Sequence, residues 1–170
     1  MQVVAKEATR RQAGEKGFVL ALGTVRMVTT GDAIMAVAEV AARAGSDVLL
    51  EWEGRVQVRE KGPHDLVTEA DLAAQQRIEE VIRNTFPSHD FLGEEGNATW
   101  PRQSSYRWIV DPLDGTTNYV HGLNQYCVSV AVEHDDQLIA GVIFDPKADE
   151  CFTAFRGEGA RLNGDRKSTR

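Results

Sequence analysis

The stretch RWIVDPLDGTTN, residues 107–118, carries the strongest local signal in the sequence. Its first five residues predict a short buried strand, because apolar side chains run directly into a polar turn. Pro112 disfavours helix at Asp111 and holds that residue extended. The sequence that follows predicts a turn and then a short helix that begins at Thr116, with Asp114 as its N-cap.

This stretch also concentrates oxygen atoms at the end of the strand. Asp111 and Asp114 can approach a common centre from different directions, and Gly115 permits close backbone approach. The free N–H groups of a helix beginning at Thr116 would bind an anion. Oxygen ligands for a hard cation beside an anion site are the arrangement that phosphoryl transfer requires.

The sequence downstream of this stretch is mostly of β type. Residues 126–133 alternate between valines and small or polar side chains, which is typical of a strand with one buried face. A turn at 135–136 and a return over 138–145 predict a hairpin, and residues 151–155 predict a further strand. Because these strands follow one another closely, we expect an antiparallel sheet.

The sequence upstream predicts two helices. Apolar residues recur at three- and four-residue steps from Asp32, the expected N-cap, to a stop at Gly54. A second helix is expected over 74–85, ended by Pro87, and a strand over 55–60 lies between the two. The predicted fold class is α+β, with two N-terminal helices packed on an antiparallel sheet.

Length and charge restrict the function. The chain has 170 residues, which fits one domain, and its net charge is −7. Residues 31–155 hold nine basic and 22 acidic side chains, so no basic face for nucleic acid is expected. No apolar run is long enough for a membrane span. Cys127 and Cys151 are too few for a disulfide framework, and we expect free thiols in a cytoplasmic protein.

Two further acidic clusters precede the central stretch. Residues 65–71, DLVTEAD, lead into the second helix, and residues 93–96, GEEG, follow a short apolar pair. Each cluster alone has a structural explanation, since Asp71 would suit the first turn of a helix and Glu94–Glu95 would suit a solvated turn. We expect all three clusters at loop positions.

Together these segments resemble the inositol monophosphatase family. The resemblance runs from about Ala33 to Gly164, and the segments that carry it are Lys61, 65–71, 93–95, 108–119 and 128–131. The resemblance implies the first half of a layered sugar-phosphatase fold. It also implies Mg²⁺-dependent hydrolysis of a phosphate monoester, inositol monophosphate being the expected substrate.

The family pattern assigns roles to particular residues of this chain. The implied metal ligands are Glu94, Asp111, Asp114 and the carbonyl oxygen of Leu113, and their side chains are expected to converge. Asp71 and Thr116 would orient and deprotonate the attacking water. The phosphate would lie against Leu113, Asp114, Gly115 and Thr116, while Lys61 and Glu95 would support the ligands from behind. The expected partners are a small phosphorylated substrate and a second copy in a homodimer.

The chain departs from the family pattern at both ends. Residues 1–30 match nothing in it, and we expect a dispensable extension, with a signal peptide as the alternative. Family members are longer and carry a further metal-binding aspartate in a Trp-Asp motif that this sequence lacks. We therefore interpret 31–164 as the N-terminal part of the fold and 165–170 as a tail. We expect this chain to be at best weakly active alone.

Three other interpretations stay open. The chain could be a non-catalytic member of the family that binds a partner. It could be a related sugar-, nucleotide- or histidinol-phosphate phosphatase, since these share the metal core. A haloacid dehalogenase-type enzyme would use Asp111 as a covalent nucleophile, although Asp111 and Asp114 are three positions apart where that motif requires two.

Overall fold

The computed structural model describes residues 29–55, 58–62, 65–95 and 103–166, with the backbone alone for 58–62 and 65–68. Residues 1–28 and 167–170, which hold most of the predicted extension and tail, lie outside the described residues. The elements in chain order are α1 (Thr30–Trp52), β1 (Val58–Gly62), β2 (Asp65–Thr68), α2 (Glu69–Thr85), β3 (Asp90–Gly93), β4 (Tyr106–Asp114), α3 (Thr116–Val120), β5 (Cys127–His134), β6 (Gln137–Asp145), β7 (Glu150–Phe155), β8 (Gly159–Leu162) and β9 (Asp165–Arg166).

Helix α1 begins earlier than the sequence predicts. Thr29 is its N-cap, and Asp32 is the third helical residue. The two form a capping box, because the Asp32 N–H donates to the Thr29 hydroxyl at 3.1 Å and the Thr29 N–H donates to the Asp32 carboxylate at 3.0 Å. The prediction that Asp32 caps the helix is therefore wrong by three residues, although its carboxylate does satisfy a free N–H at this end.

Both predicted helices are confirmed and pack together on the sheet. Helix α2 begins at Glu69, five residues before the predicted start, and ends at Thr85, two residues before Pro87. Gly45 of α1 allows the close approach, because a Cβ at that position would lie 2.6 Å from the Ile78 side chain of α2. None of the helices within the described ranges combines the length and the apolar character that crossing a bilayer requires.

The seven-stranded sheet has the order β3-β4-β5-β6-β7-β8-β9. The predicted antiparallel arrangement is confirmed from β4 to β9, but β3 pairs parallel to β4 at the edge of the sheet. The α+β class is thus correct and the sheet is mixed. The predicted alternation in β5 is also confirmed, since Val128, Val130 and Val132 are buried in the core beneath the helices.

The structure has a strand from Val58 to Gly62, which pairs antiparallel with β2, while residues 56–57 of the strand predicted over 55–60 lie outside the described residues. Residues 65–68 therefore form a strand where a loop was expected, and Asp71 lies in the first turn of α2. The two cysteines are free thiols, as predicted, with Cys151 buried and Cys127 half-buried.

Candidate functional site

The end of strand β4 contains a bulge that separates its two aspartates. Asp111 pairs with Ser129 and Asp114 pairs with Cys127, so three steps along β4 match two along β5. The Asp111 carboxylate accepts a hydrogen bond from the Leu113 N–H at 3.1 Å. The strand therefore continues to Asp114, and the predicted polar turn is built into its last residues.

Helix α3 begins at Thr116, as the sequence predicts, but its cap is Gly115 and not Asp114. Gly115 has φ 98° and ψ 33°, and no side-chain hydrogen bond caps the helix. A Cβ at Gly115 would lie 2.9 Å from the Gln125 carbonyl oxygen and 3.3 Å from Tyr126. Glycine is therefore required here both by the backbone conformation and by the lack of space. The Asp114 carboxylate is free to serve elsewhere.

The Asp114 side chain is directed towards strand β5. Its carboxylate lies 3.8 Å from the Cys127 sulfur. Burial raises the pKa of the Cys127 thiol to about 11, and the charges of Asp114 and Asp111 contribute to the rise. Cys127 is therefore protonated at neutral pH, which agrees with a small packing residue and not with a nucleophile.

Asp71 and Thr116 meet across the site, although they are 45 residues apart in sequence. Asp71 is 2% exposed. The Thr116 hydroxyl lies 3.5 Å from the Asp71 carboxylate and 3.1 Å from the carbonyl oxygen of Leu113. A hydroxyl donates only one proton, and the shorter distance favours the Leu113 carbonyl. The hydroxyl oxygen can then accept a hydrogen bond from a water that also donates to Asp71.

Glu94 is brought to Asp111 by the parallel pairing of β3 with β4. The register pairs Gly93 with Val110, and the Glu94 N–H donates to the Val110 carbonyl at 3.0 Å. The residues that follow this pair are Glu94 after β3 and Asp111 in β4, which brings the two side chains together. Their carboxyl groups hydrogen-bond to each other. Two carboxyl groups in such contact must share a proton or a cation, because two ionised carboxylates can only accept hydrogen bonds and neither can donate one to the other.

The electrostatics of Asp111 reflect this crowding. Burial raises the pKa of Asp111 above its ordinary value, and the charges of Asp114 and Asp71 raise it further. The hydrogen bonds with Glu94 and from the Leu113 N–H act in the opposite direction. A cation among these groups would favour the ionised form of all of them.

The chemistry of the donors fits a hard divalent cation. Carboxylate and carbonyl oxygens are the ligands that Mg²⁺ and Ca²⁺ prefer, and neither a histidine nor a thiolate is needed. Within the described ranges, however, no three His, Cys, Asp or Glu side chains already form a group that could hold an ion. Glu94 and Asp111 are in contact, while Asp114 leans towards Cys127. The three-carboxylate metal site therefore stays a prediction.

The remaining predicted residues differ in how far they can be placed. Glu95 is 6% exposed, and its backbone is held by the side chain of Gln75. Lys61 lies in β1, but its side chain falls outside the described part of the chain. Gln75 was not predicted from the sequence. The one available signal is its spacing, since it lies one helical turn after Asp71 on the same face of α2.

Comparison with known proteins identifies what the chain resembles. The sequence profile of the inositol monophosphatase family matches residues 32–170. An inositol-1-monophosphatase of Rhizobium meliloti is 46% identical over 108 residues, which are 64% of this chain and 41% of that protein. The Nus factor SuhB of Haemophilus influenzae is 42% identical over 125 residues, 72% of this chain and 47% of that protein.

A solved structure supports the same fold. An IMPase/NADP phosphatase complexed with Mg²⁺ and phosphate superimposes with a TM-score of 0.74 at 27% identity, covering 81% of this chain and 53% of that one. The chain thus spans about half the length of the relatives that it matches.

Proposed function

The chain belongs to the inositol monophosphatase family, and from this premise we propose that it hydrolyses a phosphate monoester, with inositol monophosphate as the substrate. The observation that carries the proposal is the contact between the carboxyl groups of Glu94 and Asp111, which come from separate segments, at the end of β4. The negative charges of Asp114 and Asp71 also raise the pKa of Asp111. Such crowding costs stability unless a cation or a reaction uses it.

We assign the binding of Mg²⁺ to Glu94, Asp111, Asp114 and the carbonyl oxygen of Leu113. Bound Mg²⁺ would neutralise phosphate charge and lower the pKa of a coordinated water. The Leu113 carbonyl also accepts from Thr116 at 3.1 Å, but a carbonyl oxygen has two lone pairs and can serve both partners. A relative bound to Mg²⁺ and phosphate supports this assignment.

Asp71 is the proposed base. It is almost fully buried and lies at hydrogen-bond reach of Thr116, so a water held by both groups would have its orientation fixed. The Thr116 oxygen would accept a hydrogen bond from that water, while the Thr116 hydroxyl continues to donate a hydrogen bond to the Leu113 carbonyl. The backbone N–H groups at the start of α3 would donate to phosphate oxygens. This helix has five residues, so its individual N–H groups matter more than its dipole.

Phosphate release from inositol 1-phosphate in the presence of Mg²⁺ tests the proposal. We expect Asp71→Asn to lower kcat by a factor on the order of 10²–10⁴, because the base that takes the proton is lost. Asp47→Asn is the matched control, since Asp47 is an exposed aspartate on α1 and should not affect kcat. Equal kcat for the Asp71 variant and the parent chain would contradict the assigned role.

A second candidate is a non-catalytic binding role. Ile143 and Phe152 are cross-strand neighbours on the sheet face opposite the helices, and they are 46% and 43% exposed. A relative named as a Nus factor supports this alternative. The same assay separates the two candidates, because a non-catalytic chain would release no phosphate at any Mg²⁺ concentration and Asp71→Asn would change nothing.

A further inference from the structure

The side chain of Gln75 holds the loop that carries Glu94. Its amide oxygen accepts from the Glu95 N–H at 2.8 Å, and its amide nitrogen donates to the Glu95 carbonyl at 2.6 Å. One side chain therefore satisfies both backbone groups of the residue that follows Glu94. The orientation of the amide is fixed, because the N–H can only donate and the carbonyl can only accept.

The Gln75 amide also packs closely against the backbone of Gly93. A Cβ at Gly93 would lie 2.1 Å from the Gln75 amide oxygen and 2.3 Å from its amide carbon. The glycine of the Gly-Glu-Glu sequence thus leaves the space that the Gln75 amide occupies. The amide lies against the residue before Glu94 and bonds the residue after it.

The other side of Glu94 is fixed by the sheet. The Glu94 N–H donates to the Val110 carbonyl of β4 at 3.0 Å. The backbone on which the Glu94 side chain stands is therefore held by β4 on one side and by α2 on the other. The reach of its carboxyl group to Asp111 depends on both attachments.

We propose that Gln75 is a positioning residue for cation binding, because its amide fixes the Glu95 backbone and thereby holds the Glu94 carboxylate against Asp111. This inference rests on the proposed function, since it takes Glu94 and Asp111 to be cation ligands. In this proposal Gln75 acts through the Glu95 backbone and is not itself a cation ligand. Residues that hold metal ligands from behind affect metal affinity about 10–100-fold.

Mn²⁺ binding to the full 170-residue chain, measured by calorimetry without substrate, tests the proposal. Gln75→Glu keeps an acceptor for the Glu95 N–H but cannot donate to the Glu95 carbonyl. The substitution also adds a negative charge near the cation, which alone would tighten binding. We nevertheless expect Gln75→Glu to weaken Mn²⁺ binding at least about tenfold, since geometry controls the site.

Two further variants make the result specific. Gln75→Met removes both hydrogen bonds at similar length without adding charge, and should weaken binding to a similar extent. Gln76→Glu makes the same charge change at the exposed neighbouring position of α2 and should bind Mn²⁺ like the parent chain. All titrations are run at a temperature at which the circular dichroism of each variant is native.

The Glu94→Gln variant distinguishes the two ways in which the idea can fail. If Glu94→Gln loses Mn²⁺ binding but both Gln75 variants bind like the parent chain, the positioning role is wrong and the cation site stands. If Glu94→Gln binds like the parent chain, or the parent chain binds no Mn²⁺, the cation site itself is wrong. A loss of binding in the Gln75 variants that only matches their unfolded fraction would also overturn the positioning role.

Discussion

Gly115 joins β4 to α3 in a conformation that an L-residue adopts only under strain, so Gly115→Ala should be strongly destabilising. The left-handed backbone costs about 1–2 kcal/mol for a residue with a Cβ. The added methyl group would also lie 2.9 Å from the Gln125 carbonyl and 3.3 Å from Tyr126, so backbone must move. Forcing extra volume into a packed site costs roughly 1–3 kcal/mol, which brings the expected total to about 3 kcal/mol.

Gly122→Ala provides a matched control for the steric part. Gly122 has φ 70°, but a Cβ there would meet nothing within 4 Å. Its substitution should cost only the backbone strain, about 1–2 kcal/mol. For a chain of this size each kcal/mol corresponds to roughly 2–4 °C in Tm, so the Gly115 variant should melt several degrees below the Gly122 variant.

The assay is thermal unfolding followed by circular dichroism, together with phosphate release by each variant. Movement of the Gly115 backbone would displace the Thr116 hydroxyl from Asp71 and Leu113, so kcat should fall further in the Gly115 variant than in the Gly122 variant. Equal Tm values for the two variants would show that the Gly115 loop does not lie against Gln125 and Tyr126. The geometry of the proposed phosphate site would then be wrong.

Three further predictions concern charge and hydrogen bonding. Asp111→Asn should raise the Tm of the metal-free chain at neutral pH, because a carboxyl whose pKa is raised on folding destabilises the fold once it ionises. Added Mg²⁺ should raise the Tm of the parent chain but not that of this variant. Burial lowers the pKa of His89, whose ring accepts a hydrogen bond from the Trp108 indole at 3.1 Å. Because the folded state favours the neutral ring, stability should fall as the pH drops below about 6.5. The variant His89→Asn should flatten this pH dependence of Tm. Tyr126→Phe removes a 2.9 Å hydrogen bond to Glu53 and should cost about 1 kcal/mol in urea unfolding. The first prediction is contradicted by a rise in Tm of less than about one degree for Asp111→Asn. The second is contradicted by an unchanged pH dependence of Tm for His89→Asn, and the third by an unchanged urea midpoint for Tyr126→Phe.

The elements that the sequence predicts well are those set by local pattern. The alternation of β5 and the apolar steps of α2 depend on neighbours within the same segment. Strand β5 lies within one residue of its predicted bounds, and α2 ends where expected but begins five residues earlier. Thr116 opens a helix because the preceding glycine can turn the chain there. These features need no knowledge of what packs against them.

The elements that the sequence does not predict depend on distant partners. Strand β3 has four residues without alternation, and it exists because β4 pairs with it in parallel. The capping box at Thr29 was missed because the apolar pattern of α1 starts only after it. The contact of Glu94 with Asp111 was expected only from the family resemblance, because it follows from the β3–β4 register, which no periodicity within either strand contains.

Helix α2 connects the two halves of the proposed chemistry. Asp71 in its first turn faces Thr116, and Gln75 in its second turn fixes the loop of Glu94. The position of the proposed base and that of a proposed cation ligand are therefore set by one rigid element. That element is in turn located by its packing on α1, where Gly45 lets Ile78 approach closely. A shift of α2 would move base and ligand together relative to β4, so the accuracy of the site depends on helix packing far from the reacting groups.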